Sequence, residues 1–183
     1  MRHILSVTLL CLVLHHPVHA EETAASPPPA PPQTHQLSDE AKARLEVSAV
    51  VMQATGLQIE GKTDEANKAF LQAISLYDAL LTKNPEDIAS LNGRALARHA
   101  LDDPNFREDA QKAIDITTAR LAEKPDDARL HHDRAIAYRT LDMYDEASRD
   151  YARAIELAPD RENWKLDLRA MNAARRMNEA TGK

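Results

Sequence analysis

Residues 138–160 read YRTLDMYDEASRDYARAIELAPD, with alanines at 147, 152, 154 and 158 and a closing proline followed by an acid. Two earlier stretches end the same way, NPEDIASL from Asn84 and KPDDARLHH from Lys124. Proline stops a helix but suits the start of the next, and acids favour a helix's first turn. Pro85, Pro125 and Pro159 therefore mark helix ends, spaced 40 and 34 residues apart. The segment LNGRALARHALDD from Leu91 aligns with LHHDRAIAYRTLDM from Leu130. Arg94 then meets Arg134, Ala95 meets Ala135, Leu101 meets Leu141 and Asp102 meets Asp142. Internal similarity at a fixed period is the signature of a repeat architecture.

The composition agrees. The 183 residues are 43% hydrophobic but only 4% aromatic, with four glycines. Strands are enriched in aromatic and β-branched residues, whereas this chain is dominated by helix formers. Helices are expected near 38–60, 63–83, 86–101, 107–123, 127–141, 144–157 and 160–179.

These residues resemble the tetratricopeptide repeat family, whose units are antiparallel helix pairs with small residues at their crossings. The unit at about 128–161 matches best: Ala135 and Tyr138 in its first helix, Ala147, Tyr151 and Ala154 in its second, and Pro159 at its end. A unit at about 47–85 supplies Gly61, Ala66, Phe70 and Ala73, with a long second helix. A unit at about 88–125 supplies Ala95, Ala113 and Pro125, with about six extra residues around PNFRED and Thr117 in the usual aromatic place. The resemblance implies an all-α fold: antiparallel helix-pair repeats stacked as a short right-handed solenoid, closed by a C-terminal capping helix over 160–179. Trp164, Leu168 and Met171 form its inner face. The alanines let helices approach to about 8 Å, and Phe70, Tyr138 and Tyr151 fill the space beside them.

Residues 1–20 are expected to be a signal peptide. Arg2 precedes an apolar run from Ile4 to Leu14, and Val18-His19-Ala20 suits cleavage after Ala20. The run is too short to span a bilayer, so no stable membrane insertion is expected. Leu10 is too bulky for a lipoprotein site at Cys11. Residues 21–37 are a proline-rich linker and 38–183 the helical domain. Export places the domain in the periplasm or outside the cell. The mature chain carries 22 basic and 29 acidic residues, a net charge of −7, and no cysteine. That charge disfavours nucleic acid, whose binding rests on neutralised phosphates, and the lack of cysteine excludes thiol chemistry.

No catalytic signature is present: no GxSxG, P-loop, dinucleotide-binding glycines, HExxH or CxxCH. The carboxylates read as helix first turns and solvated surface. His35, His99, His131 and His132 offer too few convergent ligands for a metal, and no cofactor is expected. In this family the first helices line a concave groove. Carried over by position, the resemblance puts Ser48, Val51, Thr55 and Gln58 there from the first unit and Asn92, Leu96 and His99 from the second. The third gives Arg129, His132, Ile136 and Arg139. Of the positions matching the family's carboxylate clamp (Val51, Thr55, Gly93, Arg129 and Asp133), only Arg129 has the chemistry. The basic residues late in the groove point to an acidic or carboxylate-bearing protein or peptide segment. The expected function is a non-catalytic exported adaptor. The alternatives are an accessory subunit or assembly factor of a periplasmic enzyme complex, or a homo-oligomer stacking end to end.

Overall fold

The structure is a computed structural model that describes residues 37–181. The expected signal peptide and cleavage site, Cys11, His35 and nearly all of the expected linker lie outside them. Seven helices follow one another: α1 (Asp39–Ile59), α2 (Thr63–Lys83), α3 (Ile88–Ala100), α4 (Phe106–Glu123), α5 (Ala128–Thr140), α6 (Tyr144–Leu157) and α7 (Glu162–Thr181). Each begins and ends within two residues of its sequence-based span. No described helix is long and apolar enough to cross a membrane.

The local starts follow from the sequence. Ser38 caps α1 by accepting the Ala41 N–H at 3.1 Å, and Asp127 caps α5 by accepting the N–H groups of Arg129 and Leu130. Each helix hairpin turns through one left-handed residue: Gly61 at φ 76°, Asp102 at φ 55° and Asp142 at φ 59°. Glycine adopts that conformation freely and aspartate is among the side chains that tolerate it.

The hairpins α1–α2, α3–α4 and α5–α6 pack against one another in chain order, and α7 packs on α6. This is an all-α helical-repeat solenoid. Ala54, Ala73, Ala95, Ala110, Ala113, Ala135, Ala137, Ala147 and Ala154 are wholly buried at the crossings, where a larger side chain would hold the helices apart. Tyr151 and Met171 are fully buried at the last crossings.

The register of the second hairpin differs from its sequence alignment. Arg94 pairs with Asp109 as Arg134 pairs with Asp150, so Ala110, not Thr117, stands where Tyr151 stands. Phe106, one turn earlier and buried edge-on against His99 at 4.7 Å, supplies the missing ring. Asp103, Pro104 and Asn105 form only a tight turn into α4. The extra length of this unit therefore falls at the C-terminal end of α4, where Thr117 returns its hydroxyl to the Ala113 carbonyl at 2.6 Å.

Candidate functional site

The first helices α1, α3 and α5 carry the residues of interest. Between α1 and α3 lies an open apolar pocket of about 270 Å³. Val51, Thr55 and Gln58 form one wall, Leu96, Ala97 and Ala100 the other, and Phe70 and Tyr77 of α2 close its base. Gly93 makes this arrangement fit: a Cβ there would lie 2.2 Å from the Tyr77 ring. The close approach half-buries Tyr77, and burial, with Asp87 nearby, raises its phenol above the ordinary value.

The other groove residues divide by environment. Leu96 and His99 are exposed on α3. Asn92 is buried and donates its Nδ2 to the Asp133 carbonyl at 2.8 Å, tying α3 to α5. His132 is buried too: its ring stacks on Trp164 at 4.6 Å and its Nε2 lies 3.0 Å from Asp167, tying α5 to α7. Asn92 and His132 thus build the wall and present little surface. Ile136 and Arg139 are half-buried.

Arg129 is 75% exposed and lies 3.5 Å from Asp133. It shares a shallow hollow with Glu86, Asp87, Asp127 and Asp133. A second concavity, of about 770 Å³, lies between the end of α3, the α5–α6 turn and α7, lined by His99, Asp142, Met143, Tyr144, Asp145, Glu146, Arg175 and Glu179. Its Arg175 bridges Asp145 and Glu179, each at 2.8 Å. Both polar hollows hold more carboxylates than cations, so Arg129 and Arg175 are locally offset by acids. Among the described residues no three His, Cys, Asp or Glu side chains converge as a metal site requires.

The residues sequence reasoning missed are Asp109 and Asp150. Read as solvated acids, they are buried. Asp109 accepts from Arg94 at 2.6 and 2.9 Å and from Arg98 at 2.7 Å. Asp150 accepts from Arg134 at 2.6 and 2.9 Å and faces His131 Nδ1 at 3.0 Å. A third link of each arginine reaches back to the preceding hairpin, Arg94 to Asp78 and Arg134 to Thr118. Their repetition at positions 94 and 134 was the available signal.

The tetratricopeptide repeat family model matches residues 128–161. Solved structures similar to the chain include the first TPR domain of human RPAP3, at 20% identity over 73% of this chain and 95% of that one, TM-score 0.35. MamA from residue 41 of Desulfovibrio magneticus RS-1 is 16% identical over 78% of this chain and 75% of that one, TM-score 0.37. PcrH, solved with the chaperone binding region of PopD, is 17% identical over 81% of this chain and 100% of that one, TM-score 0.35. No curated protein matches the chain. With α5 and α6 as the unit that matches a tetratricopeptide repeat, the chain is an all-α helical-repeat protein.

Proposed function

We propose that the chain is a non-catalytic adaptor that docks a protein or peptide segment through the face of α1, α3 and α5. The observation that carries this reading is the open apolar pocket between α1 and α3, sized for one side chain. A buried anchor side chain in such a pocket supplies most of the affinity of a segment lying across a groove. Leu96 stands at its rim, and Arg129 offers a rim charge that tunes encounter more than affinity. The apolar run before Ala20 supports export, to the periplasm or beyond, with Glu21 as the mature N-terminus.

The test is capture from the source organism's own exported proteins, comparing the parent with Leu96→Glu and with the double variant Arg129→Glu, Arg139→Glu. A partner held by the parent and lost by Leu96→Glu supports the pocket. A partner held equally by all three moves the interface off this face. N-terminal sequencing of the exported chain tests the processing, and a start other than Glu21 overturns it.

A further inference from the structure

The outward face of α1 is built like an interface. Leu45, Ala49, Met52, Gly56 and Ile59 recur at spacings of four and three residues, the seam of a two-helix coiled coil. Leu45 is 59% exposed, Met52 72% and Ile59 83%. A Cβ at Gly56 would meet nothing within 4 Å. Aligned through the hairpin turns at Gly61, Asp102 and Asp142, the places of Met52, Gly56 and Ile59 are Gly93, Ala97 and Ala100 in α3, and Asp133, Ala137 and Thr140 in α5. Helices of the preceding hairpin occupy that face in both. Tyr77 of α2 lies over Gly93, Ala97 is buried with Ala73 and Leu80, and Ala137 with Ala110 and Ala113 of α4. Among the described residues that face is open only in α1, and there Met52 and Ile59 stand where α3 carries Gly93 and Ala100.

We propose that a second copy of the chain covers this face, its α1 running antiparallel to the first. The seam alternates large and small. A parallel copy would set Met52 on Met52 and Gly56 on Gly56. An antiparallel copy sets Met52 over the Ala49 of the second copy and Leu45 over its Gly56, filling each gap with a knob. In that register the Lys42 of each copy stands over the Ile59 of the other, its methylenes along the apolar side chain and its ammonium reaching out to water, and the twofold axis makes the contact twice. Lys42 now sits in an exposed local pair with Asp39 at 3.0 Å, which is cheap to exchange. One helix seam buries roughly half of the ~800 Å² per partner of a standard interface, so the dimer is weak and concentration-dependent.

Sedimentation of the full chain from low micromolar to submillimolar concentration tests this. The parent should move from monomer to dimer. Met52→Glu, at an exposed site, should raise the dissociation constant roughly tenfold or more while helix content and melting temperature stay put. Leu45→Ala and Gly56→Leu should each weaken the dimer, and the two together, which exchange knob and gap, should restore it. A parent that stays monomeric throughout overturns the proposal and leaves the seam to another protein or to residues 1–36 of the chain. A dimer that Met52→Glu leaves unchanged overturns it too. Failure of that exchange to restore association overturns the antiparallel register.

Discussion

Arg134 and Asp150 form a bidentate pair between α5 and α6, Nε to Oδ2 at 2.6 Å and Nη2 to Oδ1 at 2.9 Å. Burial favours the uncharged form of arginine, but the hydrogen bonds to Asp150 outweigh it and raise the Arg134 guanidinium above its ordinary value. Removing one partner of such a pair strands a buried charge, whereas replacing both with apolar groups is close to neutral. Asp150→Ala should therefore cost about 3 kcal/mol, and Arg134→Met with Asp150→Leu should recover most of it. Urea unfolding of the three proteins decides the matter, and a single-variant loss below about 1 kcal/mol would reduce the pair to an ordinary surface contact.

The three hairpin turns share one conformation but not one residue. Gly61 holds positive φ without strain, while Asp102 and Asp142 hold it with a side chain attached. Asp102→Gly should stabilise the fold by about 0.5 kcal/mol, because relief of strain slightly exceeds the added freedom of the unfolded chain. Asp142→Gly should gain less, since Asp142 also accepts the Tyr144 hydroxyl at 2.7 Å. Gly61→Val should cost about 1–2 kcal/mol. Thermal melts compare all three, and a stabilising Gly61→Val would refute the account.

What was legible in the sequence is what recurs with small residues. Ala95 with Ala135, and Asp102 with Asp142, align one crossing and one turn, and the prolines bound the helices. Asp109 and Asp150 were not legible because carboxylates are usually solvated, and sequence does not tell which helical acid faces an arginine on the next helix. The alignment of the second unit went astray for a related reason. Pro125 fixes the end of α4, but the buried pairing of Arg94 with Asp109 fixes its start. The groove lining was legible by position, yet burial was not: His132 becomes a wall because Trp164, thirty-two residues on, stacks against it.

Gly93 and Tyr77 should be energetically coupled. A methyl group at 93 lands on the Tyr77 ring, so Gly93→Ala must displace the ring or spread α2 from α3. Overpacking of this kind costs roughly 1–3 kcal/mol. In a Tyr77→Leu background the clash is gone and the same substitution should cost little, since alanine is the better helix former. The double-mutant cycle should give a coupling of about 1 kcal/mol or more. Additive effects would mean that Tyr77 does not press on Gly93 in solution.

Tyr151 should give the fold an alkaline limit. Its side chain is wholly buried between α5, α6 and α7, and its hydroxyl has no hydrogen-bond partner among the described residues. Burial pushes the phenol up from 10.0 to about 12, with Arg139 pulling it down and Asp167 and Asp133 pushing it up by less. A folded value raised above the unfolded one means the native state keeps its proton when the unfolded chain has lost it. The associated stability is fully present below pH 10 and falls as pH climbs from there toward 12, by about 2–3 kcal/mol in all. Tyr151→Phe removes the titrating group and should flatten this part of the profile. At neutral pH the same variant should be neutral or slightly stabilising, because it deletes a buried unpaired hydroxyl and keeps the ring. Denaturant midpoints of parent and Tyr151→Phe, measured from pH 7 to 11.5, should therefore diverge above pH 10. Parallel curves would place the hydroxyl in contact with water or with a partner of its own.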